Sequence, residues 1–308
     1  MDFNVKDTAK QTAILTAFSL GVENLIHDKK PEDFPRVTTE GHYELVRRKN
    51  AWRLLSGDDL LPVSLMGVLQ KPRLAPGVDR LDYGTVGNVP GTESNGINDD
   101  EILVFVHGWL ADHEATMGRF SLMRHTLRSA GYTSPVVGFS WDTDHRPLEW
   151  KSGNHVAEKN GAKLAQFISD FNRSNPDTDI RLLSNSLGAT VVLEAIEVLL
   201  NSGKESAVRS LSILGGGAPS KSVSRDGRYH SAIQDVVEKD VRNYWISHDD
   251  TLNRLYKNVE FEPALGGRGA LGETPESYRD VRVDYVPDHF SYYRKDKGCV
   301  EEVVKDFA

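Results

Sequence analysis

The feature that most constrains the fold is a series of short, mostly apolar runs that alternate with helical patterns. The runs cover residues 102–106, 136–139, 180–183, 211–214, 241–247 and 281–286. Such runs are typical of strands that are buried on both faces of a parallel sheet. Apolar residues recur at helical spacing over about residues 115–130, 156–173, 187–201 and 231–238. The alternation predicts an α/β fold with a mostly parallel central sheet and helices on both faces.

Composition narrows the classes of protein that fit this pattern. The chain has 308 residues, a formal net charge of −8 and one cysteine, Cys299. A single α/β domain of this length buries a sizeable core. The acidic balance disfavours nucleic acid as a partner, and a lone cysteine forms no intrachain disulfide. Because the sequence shows neither a secretory signal nor a long apolar stretch, we expect a cytoplasmic protein without a transmembrane segment.

The first 100 residues carry weaker signals than the rest. Helical spacing predicts a helix over residues 7–27, and residues 43–48 and 51–55 are expected to form a short strand pair. Residues 72–100 are rich in Gly, Pro, Asn and Asp, which indicates a long surface loop. We therefore divide the chain into an N-terminal part, residues 1–100, packed on a main domain, residues 101–308. Within the main domain, the glycine-rich stretch 264–272 is expected to be a mobile loop near a site entrance.

Ser186 stands where one of the apolar runs meets a helical pattern. Residues 182–190 read LLSNSLGAT. A strand that turns abruptly into a helix lifts a serine hydroxyl out of the sheet, as a nucleophilic serine requires. The turn needs small neighbours, and Gly188 supplies one, whereas Ser184 stands where such a turn usually has glycine. The alternative interpretation is a serine that caps the N-terminus of the helix.

This turn resembles the nucleophile elbow of the α/β-hydrolase superfamily, in particular its lipase-like and esterase-like branches. Residues 104–109, VFVHGW, resemble the His-Gly signature that follows an earlier strand in that superfamily. Residues 135–141, PVVGFSW, are similar to the Phe-Ser-Trp segment of an uncharacterised α/β-hydrolase family. The resemblance covers about residues 100–295. It implies an α/β-hydrolase fold and a serine hydrolase that needs no cofactor or metal.

The His-Gly segment implies an oxyanion hole. Acyl transfer needs two N–H donors aimed at the oxygen on which negative charge develops. The backbone N–H groups of Trp109 and Leu187 are the candidates that the resemblance implies, and Gly108 lets the backbone approach a substrate. We interpret His107 as a structural residue in preference to a proton carrier.

The resemblance also implies an acid and a base later in the chain, in the order Ser, Asp or Glu, His. Residues 243–252, NYWISHDDTL, end an apolar run in two carboxylates. The superfamily pattern favours Asp250, and Asp249 stays open as the alternative acid. His289, which follows the last predicted strand, is the candidate base.

The function implied by the resemblance is cleavage of a carboxylic ester through an acyl-enzyme, with Ser186, Asp250 and His289 as a catalytic triad. The expected substrate is a small-molecule ester, and a lipid-like ester is one option. A thioesterase or an amidase would use the same site. The alternative from another class is a non-catalytic binding or scaffold protein with the same fold. Fold alone is a weak guide to substrate, and the pattern leaves the oligomeric state open.

Overall fold

The structure, a computed structural model, describes residues 34–47, 70–92, 97–143 and 149–307. The helix predicted over residues 7–27 and the strand predicted over 51–55 lie outside these ranges. The described strands are β1 (Arg36–Thr38), β2 (Tyr43–Arg47), β3 (Gln70–Leu74), β4 (Gly84–Val86), β5 (Glu101–Val106), β6 (Val136–Ser140), β7 (Asp179–Asn185), β8 (Val208–Leu214), β9 (Val237–Trp245) and β10 (Tyr278–Arg282). The described helices are α1 (His113–Ser129), α2 (Trp150–Ser174), α3 (Gly188–Asn201), α4 (His230–Val236), α5 (Lys257–Glu260), α6 (Leu265–Arg268) and α7 (Val300–Lys305), with a π-helical turn at Thr251–Tyr256.

Eight of the strands form one sheet in the order β10-β9-β8-β7-β5-β6-β1-β4. All neighbouring pairs in this sheet are parallel except β1 and β4, which are antiparallel. Strand β7 lies between β5 and β8, so its carboxyl end is at the middle of the sheet edge. The predicted fold class, a mostly parallel sheet with helices, is confirmed.

The core lies on both faces of this sheet. In β5, Ile102 and Val104 belong to the hydrophobic cluster on one face, whereas Leu103 and Phe105 belong to the cluster on the other. The first cluster includes residues of α2 and α3, and the second includes residues of α1 and α7. Since both faces are covered, β5 is apolar at every position after Glu101, which explains the continuous run in the sequence.

Strands from the first 100 residues complete one edge of the sheet. β1 pairs in parallel with β6, and β4 adds to β1 as the last strand. β2 pairs with β3 in a separate antiparallel ladder. The expected loop over residues 72–100 therefore contains the end of one strand and the whole of another.

The glycine-rich stretch 264–272 is packed against the sheet, and the expectation of a mobile loop there is wrong. It contains α6, whose residues Leu265, Gly266 and Gly267 are buried. The Leu265 N–H donates to the Ala218 carbonyl at 2.9 Å, and the Gly266 N–H donates to the Gly216 carbonyl at 2.8 Å. Here glycine allows two backbones to approach closely, which is a structural use of the residue.

Candidate active site

Ser186 occupies the sharp turn between β7 and α3. Its φ of +52° lies in the left-handed region, which non-glycine residues seldom adopt. The turn is held from β8 and the segment after it: the Ser186 N–H donates to the Leu214 carbonyl at 3.0 Å, and the Ser186 carbonyl accepts from Gly217 at 2.8 Å. Strained backbone of this kind persists where the surrounding structure determines it, and it often marks a functional site.

Close backbone approach explains two glycines around the serine. A Cβ at Gly188 would lie 2.5 Å from the Val106 carbonyl oxygen, and a Cβ at Gly108 would lie 2.8 Å from Cβ of Ser186. Ser184, at the position where glycine is usual, is fully buried, and its hydroxyl has no hydrogen-bond partner among the described residues. The elbow thus tolerates serine on one side and requires glycine on the other.

The structure brings Ser186, His289 and Asp249 into one chain of hydrogen bonds. Nε2 of His289 lies 2.8 Å from Oγ of Ser186, and Nδ1 of His289 lies 2.7 Å from Oδ2 of Asp249. Asp249 is 0% exposed, and its other carboxylate oxygen accepts the Leu252 N–H at 2.9 Å. A carboxylate at Nδ1 favours the tautomer with the proton on that nitrogen, which leaves Nε2 able to accept the serine proton.

The expectation that Asp250 contacts His289 is wrong. The Asp250 side chain is 60% exposed and pairs with Arg254 at 3.1 Å. Asp250 already has helical backbone angles, φ −62° and ψ −30°, as the cap of the π-helical turn. Asp249 directly precedes it and caps the same turn from inside through Leu252. Adjacent residues in a turn point in different directions, and here the first carboxylate points to the imidazole while the second points to solvent.

The two candidate oxyanion donors lie on the segments that flank the serine. Leu187 follows Ser186 at the start of α3, and Trp109 follows Gly108, which abuts Ser186. Within the part of the chain that the structure describes, neither N–H group donates a hydrogen bond. Their role in binding an oxyanion remains a prediction.

His107 is part of the framework of this loop. It is fully buried; its Nδ1 donates to the Gly108 carbonyl at 2.8 Å, and its Nε2 accepts from the Trp141 N–H at 3.4 Å. Burial, together with the charge of Arg119, lowers the pKa of His107 to about 3. A neutral imidazole with both nitrogens occupied holds the loop and carries no proton to a substrate.

A row of buried aromatic rings extends from the loop at residues 107–110. The Trp109 ring meets Trp150 edge-on at 5.1 Å between centroids, and Trp150 meets Tyr256 in the same way at 5.5 Å. Nε1 of Trp150 donates to Glu260 at 2.9 Å. These contacts connect the loop before α1 with the start of α2 and with the π-helical turn that follows Asp249. Packing of this kind fixes the position of Trp109.

Sequence reasoning missed one residue beside the site, Arg119. Its guanidinium donates to the carbonyls of Gly108, Trp109 and Leu110. The signal was a charged residue on the apolar face of a helix, next to Phe120 and one turn before Met123. A buried arginine at such a position needs hydrogen-bond acceptors, and the loop supplies them.

None of the described helices combines the length and the apolar character that crossing a bilayer requires.

Comparison with known proteins agrees with the fold. A family described as "Alpha/beta hydrolase of unknown function (DUF900)" matches residues 93–237. An uncharacterized protein of Nostoc sp., alr1448, is 24% identical over 126 residues, which are 34% of this chain and 33% of that protein. The chain thus spans about a third of the length of the curated relative it matches.

Solved structures with similar chain traces include XC6422 from Xanthomonas campestris, described as an α/β serine hydrolase without a lid. It is 14% identical, with 70% of this chain and 85% of that chain covered and a TM-score of 0.41. A putative cell surface hydrolase from Lactobacillus plantarum is 11% identical, with coverage of 67% and 89% and a TM-score of 0.40. A lipase-esterase related protein from Clostridium acetobutylicum is 12% identical, with coverage of 68% and 94% and a TM-score of 0.37.

The family match, the strand order and the strand–elbow–helix at Ser186 agree with one another. The match covers slightly less than half of the chain and includes both the loop at residues 107–110 and the turn at Ser186. Residues 93–237 are thus similar to a family of α/β hydrolases, and the mostly parallel sheet with its helices has the α/β-hydrolase fold.

Proposed function

We propose that the protein is a serine hydrolase that cleaves a carboxylic ester through an acyl-enzyme, with Ser186, His289 and Asp249 as the catalytic triad. The observation that carries the proposal is the pair of short contacts made by one imidazole, 2.8 Å to the serine hydroxyl and 2.7 Å to the buried carboxylate. A nucleophile, a base and a group that orients the base are the parts that activation of serine requires.

In the first half of the reaction, Oγ of Ser186 attacks the ester carbonyl carbon while its proton passes to Nε2 of His289. The carbonyl oxygen becomes an oxyanion, which the N–H groups of Trp109 and Leu187 stabilise. The bond to the alcohol oxygen then breaks, and His289 gives its proton to the leaving alcohol. Asp249 stabilises the imidazolium that forms between these two steps.

In the second half, water replaces the alcohol. His289 takes a proton from the water, the oxygen attacks the acyl-enzyme, and the bond to Ser186 breaks. The proton returns to the serine oxygen, and a carboxylic acid leaves. Every step uses the same three side chains, so the chemistry needs no cofactor.

The proposed substrate class is a small-molecule carboxylic ester. Thioesters and amides react by the same steps, and they are outcomes that a substrate panel separates. The α/β-hydrolase superfamily includes many chemistries on one fold, so the fold does not choose among these three substrate classes.

The experiment that tests the proposal is hydrolysis of p-nitrophenyl esters of graded chain length by wild type and Ser186→Ala. The serine variant is expected to lose about 10³-fold or more in kcat, because the nucleophile is absent. Ser184→Ala is the matched control, since its hydroxyl is buried two residues away and contacts no triad member. A folded wild-type protein that cleaves no ester, thioester or amide in the panel would favour the binding or scaffold alternative.

A further inference from the structure

A buried arginine lies behind the loop that carries one oxyanion donor. Arg119, in the second turn of α1, is 5% exposed. Its guanidinium donates to three consecutive carbonyls, those of Gly108 at 3.2 Å, Trp109 at 3.1 Å and Leu110 at 3.0 Å. Helical side chains tilt toward the N-terminus of their helix, so this side chain reaches back to the loop that precedes α1.

The direction of the carbonyls sets the direction of the amides. In a trans peptide the C=O and N–H bonds point in opposite directions. The Gly108 carbonyl accepts from Arg119 and from Nδ1 of His107 at 2.8 Å, so the Trp109 N–H points away from both donors. The Trp109 carbonyl is held in the same way, which turns the Leu110 N–H away from the guanidinium. At Gly108 the same loop abuts Ser186.

The loop adopts a conformation that needs support. Leu110 has a φ of +56°, in the left-handed region. For a residue with a Cβ, this conformation is unfavourable, because the Cβ comes too close to the following carbonyl oxygen. It persists only where contacts hold it, and the bond from Arg119 to the Leu110 carbonyl is one such contact.

We propose that Arg119 is a positioning residue for the oxyanion hole: it turns the carbonyls of residues 108–110 inward and thereby presents the Trp109 N–H to the substrate oxygen. This inference rests on the proposed function. Arginine suits the task because its planar fork donates several hydrogen bonds at fixed angles, whereas the ammonium of lysine is a single point. A cation at the carbonyl end of a peptide also polarises its N–H, which strengthens the donor.

The test compares Arg119→Lys and Arg119→Met with wild type on a p-nitrophenyl ester. The expected loss in kcat is about tenfold for lysine and about 10²-fold or more for methionine, because an oxyanion donor acts chiefly in the transition state. KM is expected to stay close to that of wild type. Arg128→Met is the matched control: it lies on the same helix, is exposed and donates to the Tyr132 carbonyl at 2.9 Å.

Chemical rescue separates positioning from folding. Methylguanidinium added to Arg119→Ala, at concentrations well below those that unfold wild type, is expected to restore part of kcat, whereas methylammonium is not. The melting temperatures of all variants show how much of each loss is structural. If folded Arg119→Lys and Arg119→Met keep the wild-type kcat, or if they change KM alone, the inference is wrong.

A readout without substrate distinguishes failure of this inference from failure of the proposed function. Should wild type cleave nothing in the panel, the proposed function fails, yet the loop is still measurable by ¹⁵N relaxation. The amides of residues 108–110 are expected to become more mobile in Arg119→Lys than in Arg128→Met. If ¹⁵N relaxation gives the same order parameters for these amides in both variants, the positioning role is wrong.

Discussion

At the residue scale, the acid of the triad depends on which of two neighbouring carboxylates faces the imidazole. Asp249 is fully buried between His289 and the N–H of Leu252, whereas Asp250 faces solvent and Arg254. The two positions differ in their place on the π-helical turn and not in their chemistry. A buried carboxylate that stabilises a developing imidazolium is the one that matters for catalysis.

The matched variants Asp249→Asn and Asp250→Asn test this assignment. Asp249→Asn is expected to lower kcat by about 10³-fold or more, since an amide at that position favours the wrong tautomer of His289. Asp250→Asn is expected to leave kcat within about threefold of wild type, as an exposed ion pair contributes little. The measurement is ester hydrolysis at saturating substrate. A larger loss in Asp250→Asn than in Asp249→Asn would contradict the geometry.

The sequence predicted most of the site but not this choice. Ser186 and His289, which the structure brings together, each follow an apolar run, so their positions at the sheet edge were readable from the pattern. The two adjacent aspartates have nearly the same neighbours in the sequence. Only the conformation of the turn decides which of the two carboxylates faces His289. Arg119 stands out in the sequence as a charged residue on an apolar helix face, but its acceptors are backbone carbonyls, so the side-chain pattern does not reveal what it binds.

At the element scale, the elbow depends on how closely α3 approaches the end of β5. Gly188 begins α3, and a Cβ there would lie 2.5 Å from the Val106 carbonyl oxygen and 2.8 Å from that of His107. Both neighbours are backbone oxygens and not the ends of flexible side chains, so an added methyl group can be accommodated only if the backbone moves. The position of the start of α3 is therefore limited by the end of β5, and a shift of the helix start would also move Ser186, which lies just before it.

Gly188→Ala is expected to destabilise the fold by about 1–3 kcal/mol, as overpacking in a core does, and to displace Ser186. Gly203→Ala is the control: its φ is +68°, yet a Cβ there meets nothing within 4 Å, so backbone strain alone would lower its stability. Urea unfolding gives both free energies, and ester hydrolysis reports the elbow. Wild-type stability and kcat in Gly188→Ala would refute the close approach.

Long central elements were predictable and short edge elements were not. β5 and β6 are buried on both faces, so they are read from the sequence as apolar runs. β1 and β4 have three residues each, which is too short for an alternation of apolar and polar residues to be recognised in the sequence. They are strands because β6 offers an open edge, which is a property of the assembled sheet and not of their own sequence.

At the scale of the whole molecule, a buried lysine joins segments that precede β5 to helix α2. Lys163, on α2, is 0% exposed. Its Nζ lies 2.9 Å from Nδ1 of His42 and donates to the carbonyls of Asp82 at 3.2 Å and Asp79 at 3.4 Å. Burial lowers the pKa of Lys163, while the nearby aspartates oppose that shift. A single side chain thus contacts two separate N-terminal segments.

Lys163→Ala is expected to increase hydrogen exchange in residues 39–43 and 79–83, because both segments lose a shared donor. Ester hydrolysis by the variant is expected to persist, since the contacts of Lys163 do not include the triad. Lys159→Ala, an exposed position on the same helix, is the matched control. Exchange in Lys163→Ala that equals exchange in the control would show that this contact does not hold the segments.

The central claim is that the hydroxyl of Ser186 is a nucleophile activated by His289 and Asp249. The most direct measurement is the site of covalent modification by a fluorophosphonate, read by intact mass and by peptide mapping. The account predicts one adduct per chain, on Ser186, which is lost in Ser186→Ala and formed much more slowly in His289→Ala and Asp249→Asn. A folded wild-type protein that forms no adduct, or an adduct on another residue that persists in Ser186→Ala, would contradict it.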